Sequence, residues 1–441
     1  MRIVGLKLRN YRIFRELDWE ICGENLVALI GNNGGGKSSI LDAICLGIAH
    51  FATIISLESG HREIIYADGI SVQDISIGSD SCSVDVQIEL EDSLMITVST
   101  QYFKNNQSGS TRILYGNSTK KIPALLKNRY IQSMPVLSYF KVGRADFSLK
   151  KEEINHESVK PTRASTYSGA FTNEYPTVLD FQKWYLREKA VENQEKVDRA
   201  DLSYSIDSLA VVKEAVERLF KVMLSDDSVE LTSVRSRSSA DFWLEGTPGF
   251  LPGQLAVVKQ QQQLPVESLS HGEKSVLILT IEIARRLFLA NQTANALAGN
   301  GIVLIDEIEL HLHPSWQREI LPALRSTFPG IQFIVTTHSP QTLSTLTRNQ
   351  IYVVDDGKLF NADTDPLGRD TNGILEELMD VDKRPKKIDD LVDEIMALLY
   401  ADEPNFEQGE AQLSRLKEMV AESDPILTRI EALIRRRKAL A

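Results

Sequence analysis

The sequence predicts an α/β fold built on a mostly parallel sheet, with a long insertion and a helical tail. Three observations carry that expectation. Continuous apolar runs in LVALIGNN, GIVLIDE and IQFIVTTHSP end in polar or acidic residues, as buried parallel strands do. Helical patterns flank them, in ILDAICLGIAHF and GEKSVLILTIEIARRLFLA. Between the first run and the first helix lies the glycine-rich turn GNNGGGKS, in strand–turn–helix order.

Taken in order, MRIVGLKLRNYRIF alternates as a strand, and DWEICGENLVALI is a second strand region entering the glycine-rich turn. SVDVQIEL and LMITVSTQYF alternate around a polar turn and predict an antiparallel subsheet. Residues 1–104 therefore form the first part of a core. From 105 to 265 the texture changes, with hairpin tips in NNQSGS and STKK and a long polar loop in ESVKPTRASTYSGAFTNEYP. A charged helix (TVLDFQKWYLREKAVENQEKVDRADL), an amphipathic one (SLAVVKEAVERLFKVML) and a glutamine run follow. This block reads as an insertion, mostly helical, that forms an arm or lid.

The core resumes over 266–380. Val276, Leu279, Ile283 and Leu287 share one helical face, and IYVVDDGKL supplies a further strand. In the tail, 381–441, apolar residues fall at helical spacing in three groups. These are Ile388, Leu391, Ile395 and Leu398; Leu413, Leu416 and Val420; and Leu427, Ile430 and Ile434. They predict a three-helix bundle suited to holding a partner, not to catalysis.

With 441 residues, 42% hydrophobic and 25% charged, the composition is that of a soluble globular chain. A net charge of −12 disfavours nucleic acid and anionic membrane unless a local basic patch intervenes. Cys22, Cys45 and Cys82 follow neither a disulfide nor a zinc pattern, which suits a reducing cytosol. The opening residues show no signal-peptide pattern, and no uncharged apolar run approaches the length needed to span a bilayer. The expectation is a cytoplasmic protein with no membrane contact.

The turn Gly31–Ser38 fits G-x-x-x-x-G-K-[ST]. Backbone N–H groups of Asn32, Asn33, Gly34, Gly35 and Gly36, with Ser39 just beyond, would cradle the phosphates of ATP. Lys37 would reach the β- and γ-phosphates, and the Ser38 hydroxyl would hold Mg²⁺. Asp306, at a strand's carboxyl end, is a candidate for the Mg²⁺ shell, and Glu307 for the general base that polarises water. Many buried strands end in acids, so this pair gains meaning from the loop. His338 could donate to the γ-phosphate; alone it would read as a histidine capping a strand end.

A second turn, SLSHGEKS, is the least expected feature. Ser270 and Glu273 have the spacing of a capping box, an ordinary helix start. A capped helix end also favours an anion, through its dipole and its free N–H groups. Leu269, Ser270, His271, Gly272 and Glu273 resemble the L-S-x-G-[EQ] signature of ABC-type ATPases. The order from GNNGGGKS through LSHGE and IDE to His338 resembles that superfamily as a whole. The resemblance implies a P-loop NTPase fold of ABC-ATPase type. It also implies a head-to-tail homodimer in which Ser270, Gly272 and Glu273 of one chain close over ATP held by the other. Gln101 is a candidate for sensing Mg²⁺, and Arg12 for approaching the α-phosphate or base. Each is weighed against an ordinary strand glutamine or surface arginine. His311 and His313 fit a dimer-contact loop better than a metal site, and Arg435, Arg436, Arg437 and Lys438 fit a helix C-terminus better than DNA binding.

The interval from Ser38 to Ser270 is too long for a compact transporter ATPase, and it lacks the sustained heptads of an SMC arm. The run LIDEIELHLHPSWQREILPALRSTFPGIQFIVTTHSPQ resembles the core of stand-alone ATPases of bacterial anti-phage systems. MPVLSYFKVGR, FQKWYLREKAVEN and DPILTRIEALIRRRKAL are most similar to the PtuA ATPases of Septu systems, including the retron-associated form. That resemblance implies a PtuB-like HNH endonuclease as partner, higher homo-oligomers, and nucleic acid contacted through the complex. A RecF- or SMC-like repair ATPase, and the ATPase of a PARIS system with a Toprim effector, are the alternatives.

Overall fold

The computed structural model describes residues 1–21, 23–58, 69–90, 94–104, 110–115, 134–142, 162–171, 178–224, 229–235, 253–259, 262–379, 384–401 and 404–439. They fall into two compact units, Met1–Gly368 and Arg369–Ala441.

In the first unit, β1 (Arg2–Tyr11), β2 (Phe14–Glu20) and β3 (Leu26–Ile30) precede helix α1 (Lys37–Glu58). The stretch MRIVGLKLRNYRIF is thus two strands and not one. Asn10 and Arg12 take positive φ (50° and 52°), which reverses the chain so that Tyr11 pairs with Phe14. Strands β4 (Ser81–Glu89), β5 (Met95–Phe103) and β6 (Ser110–Tyr115) complete an antiparallel sheet of order β2-β1-β4-β5-β6. Alternating burial along β4 and β5 turns one face inward.

Helix α1 is long and apolar enough to cross a membrane by length and composition alone, although Asp42 interrupts its apolar run. Within the fold, 72% of its most apolar window is buried. It packs on β4, β5 and the strand Val136–Phe140, as the central helix of an α/β core does.

The expected insertion hides a core strand. β7 (Val136–Phe140) lies inside the 105–265 block yet pairs parallel with β11 (Gly301–Ile305), Val136 opposite Gly301 and Phe140 opposite Ile305. Five consecutive buried residues explain this, since a strand buried on both faces belongs in the central sheet. Helices α2 (Val178–Asp198) and α3 (Asp207–Leu224) follow, then β8 (Glu230–Arg235), β9 (Gly253–Lys259) and β10 (Gln262–Pro265), which form a small antiparallel sheet. Within the long polar loop, Thr166, Tyr167, Ala170 and Phe171 are buried. The Tyr167 hydroxyl donates to the Pro135 carbonyl (2.9 Å), and Thr166 Oγ1 donates to the carbonyl of Arg286 (2.9 Å). The hairpin tips NNQSGS and STKK lie largely outside the described residues.

Helix α4 (His271–Asn291) then leads to β11, α5 (Pro314–Thr327), β12 (Ile331–Thr336), the short α6 (Pro340–Leu343), and the hairpin of β13 (Ile351–Asp355) and β14 (Lys358–Asn361). Among the described residues the central sheet has the order β14-β13-β3-β12-β11-β7, with β13, β3, β12, β11 and β7 parallel. Loops leaving the carboxyl ends of β3, β11 and β12 therefore emerge at one edge, where open α/β sheets bind ligands.

The second unit holds α7 (Thr371–Met379), α8 (Lys386–Tyr400), α9 (Phe406–Met419) and α10 (Pro425–Lys438). Its core joins Ile395 and Leu399, Leu413 and Leu416, and Leu427, Ile430 and Ile434, with Ile388, Leu391 and Val420 against it. Leu399 takes the central place expected for Leu398. Arg384 grips Asp424, the N-cap of α10, through two bonds of 2.8 Å.

Candidate nucleotide site

The glycine-rich turn owes its shape to close walls. A Cβ at Gly31 (φ 135°) would lie 2.0 Å from the Val354 carbonyl oxygen of β13. One at Gly36 (φ 109°) would lie 2.6 Å from the Phe14 ring. Only glycine fits both the backbone angle and the space. The turn closes with Gly35 N–H donating to the Asn32 carbonyl (3.1 Å). Lys37, 6% exposed, donates from Nζ to the carbonyls of Gly31 (2.8 Å) and Asn32 (2.9 Å). Burial pulls its ammonium below the ordinary lysine value, and the charges of Asp306, Glu307 and Glu309 oppose that pull.

A cavity of about 290 Å³ opens over this turn. Asn33, Gly34, Gly36, Lys37, Ser38 and Ser39 line one side, and Asp306, Glu307, Thr336 and His338 the other. Residues from the ends of three parallel strands thus meet in one place. Asn32 and Gly35 shape the turn from behind the lining.

Thr336, which sequence reasoning missed, ties the acidic side together. Its hydroxyl accepts the Glu307 N–H (2.7 Å) and donates to Asp306 Oδ1 (2.5 Å). Glu307 sits at φ 47°, a left-handed conformation that costs a non-glycine residue about 1–2 kcal/mol. Such strain is often kept where a side chain must be aimed. The signal for Thr336 was present in the sequence, as a polar residue closing the apolar run IQFIV, but TTHSP offers several such residues.

Arg12 stands beside the cavity. It reaches Ser39 Oγ (3.3 Å) while pairing with Asp42 (2.6 Å) and Asp74 (2.8 Å). Burial works against its charge, but Tyr11, Asp74 and Asp42 outweigh it and hold the guanidinium above its ordinary value. Gln101 is elsewhere. It sits on β5 opposite Ser83 and Arg112, on the face away from buried Thr100 and Tyr102, because strand side chains alternate. Gln101 is not among the residues that line the cavity.

The second turn caps α4 as its spacing predicts. Ser270 Oγ accepts the Glu273 N–H (3.2 Å), Ser270 N–H donates to Glu273 Oε2 (2.9 Å), and Lys259 holds Glu273 Oε1 (3.0 Å). Burial would raise the Glu273 carboxyl, but these bonds hold it below its ordinary value. A Cβ on Gly272 would fall 2.5 Å from the His311 carbonyl oxygen, so the turn is pressed against the loop after β11. The rings of His271 and His311 lie 6.0 Å apart. His313 caps α5, its Nδ1 accepting from Ser315 N–H (3.3 Å). Ser270, Gly272 and Glu273 do not line the cavity of their own chain. In α10, Arg437 donates to the Leu399 carbonyl and Lys438 pairs with Glu410.

The model of the RecF/RecN/SMC N-terminal domain matches residues 2–358, from β1 to the start of β14. The chain belongs to this family. It is 30% identical to "Retron Ec83 probable ATPase" of Escherichia coli, across 99% of this chain and 87% of that one. Identity to "Retron Vc95 probable ATPase" of Vibrio cholerae serotype O1 biovar El Tor is 27%, over 95% and 86%. Identity to "Septu protein PtuA" of Bacillus thuringiensis is 21%, over 91% and 90%. The chain is thus an SMC/RecF-type P-loop ATPase of anti-phage defence, similar along nearly its whole length to the probable ATPases of two retrons and to a Septu protein.

Proposed function

We propose that this chain is the ATP-binding and hydrolysing regulatory subunit of an anti-phage defence complex, acting as a head-to-tail homodimer. One observation carries the reading. Lys37, Ser38, Asp306, Glu307 and His338 share a cavity, while the capped turn at Ser270 and Gly272 is not part of its lining. A second copy would supply that turn to the open side of the cavity, giving two composite sites per pair.

In each site the backbone of 32–36 and the Lys37 ammonium hold the triphosphate. The oxygens of Ser38 and Asp306 form a donor set suited to a hard cation. Magnesium, when bound, neutralises phosphate charge. Glu307 accepts a proton from the attacking water, and His338 donates to the γ-phosphate. Arg12, held beside Ser39, approaches the α-phosphate or base. Occupancy or turnover then controls a PtuB-like HNH endonuclease bound through the helical second unit. Nucleic acid is met through the complex, and the setting is cytoplasmic.

Mixing tests the shared site. A Lys37→Ala preparation lacks a working phosphate loop, and a Ser270→Arg preparation lacks a working capped turn. Each alone should be inactive. With random exchange of partners, about a quarter of wild-type turnover should return, because each mixed pair contains one intact site. No recovery, together with turnover by wild-type monomer, excludes the composite site. The HNH assignment is checked separately, by mass spectrometry of what co-purifies with the native protein.

A further inference from the structure

Glu309 has no place in the chemistry above, yet it is built into the site. After β11, Glu307 and Glu309 carbonyls accept the N–H groups of Leu310 (3.0 Å) and Leu312 (2.9 Å), curling the chain in two tight turns. The Ile308 N–H donates to the Thr336 carbonyl (3.1 Å), which fastens this curl to the end of β12. Glu309 is thereby brought to the loop that leaves β12, where its Oε1 accepts the backbone N–H of His338 at 2.5 Å. Its other oxygen, Oε2, is buried and has no hydrogen-bond partner among the described residues.

A buried carboxylate oxygen without a partner is costly, and a group that served stability alone would use both ends. We infer that Glu309 is a positioning residue, whose hydrogen bond to the His338 main chain fixes the imidazole over the cavity. The inference rests on the γ-phosphate role proposed above for His338. From the other side, Ser339 Oγ donates to Gln317 Oε1 (2.7 Å), and Gln317 Nε2 donates to the Leu312 carbonyl (2.9 Å). The His338 loop is therefore held at two consecutive residues by the segment that follows the acidic pair. Freed from Glu309, the imidazole can swing without any change in the phosphate loop.

The test uses steady-state ATP turnover and calorimetric ATP binding by the full chain. Glu309→Ala should lower kcat about 10- to 100-fold, with KM and ATP affinity within about threefold of wild type. Glu309→Gln keeps the Oε1 acceptor and should stay within about threefold of wild-type kcat. In a Glu309→Ala/His338→Ala double variant, turnover should be no slower than in His338→Ala alone. Wild-type kcat in Glu309→Ala, or multiplying effects in the double variant, overturns the inference. So does a Glu309→Gln as slow as Glu309→Ala. Should Glu309→Ala fail to fold, Glu309→Asp withdraws the acceptor by one methylene and should be slow; full speed there also overturns it. Failure of the underlying reading looks different, because His338→Ala itself would then turn over at the wild-type rate.

Discussion

Glu307→Gln lowers ATP turnover by about 10² to 10⁴ while leaving ATP binding intact, if Glu307 takes the proton from water. The change is isosteric. The backbone N–H of residue 307 still donates to Thr336, so the φ of 47° and the Thr336–Asp306 bond need not alter. Only the proton acceptor is lost. Single-turnover hydrolysis alongside calorimetric ATP affinity separates the two effects. Unchanged hydrolysis removes Glu307 from the chemistry, whereas lost affinity would mean that the residue holds the nucleotide. The same variant should trap ATP, and with it the paired form of the chain, which size-exclusion chromatography would report.

Arg286→Met should cost about 3–5 kcal/mol of stability, the range for breaking a buried ion pair. Arg286 is 2% exposed and Glu282 1%, and the two pair within α4 at 2.5 Å. Arg286 also donates to the carbonyls of Thr166 and Ser168, the latter at 2.9 Å, so it pins the 162–171 segment to the helix that begins at Ser270. Burial alone would raise the Glu282 carboxyl; Arg285 and Arg286 overcome this and hold it at about 2. Removing Arg286 leaves both carbonyls without that donor and leaves Glu282 to Arg285 alone. Replacing both members, as Arg286→Met with Glu282→Leu, should recover part of the loss, because no unmatched carboxylate then remains. Urea unfolding gives the comparison. A loss below about 1 kcal/mol for the single change would show that this contact does not hold the segment in place.

The parts of the site with local signatures were legible in the sequence. A glycine-rich turn between an apolar strand and an apolar helix can hardly be anything else, and Ser270 with Glu273 encodes its own cap through a three-residue spacing. Other features depend on partners distant in the chain. VLSYF reads as an isolated apolar run until β11, more than a hundred residues later, lies beside it. Gln101 fits a sensing role by type, but strand alternation sets it on the face opposite buried Thr100 and Tyr102, and it is not part of the cavity lining. Thr336 closes an apolar run that offers several polar candidates, and Glu309 carries no signature, since their roles exist only where the ends of β11 and β12 meet.

By itself the sequence determined the family, the phosphate turn, the acidic strand end and the capped helix. Each is fixed by short-range backbone geometry or by the period of its apolar residues. Only the tertiary structure decided which residues share the cavity, which strand borders the acidic pair, and which carboxylate holds the His338 loop. Those outcomes depend on sheet order and on burial, and neither is written in any one stretch of the chain.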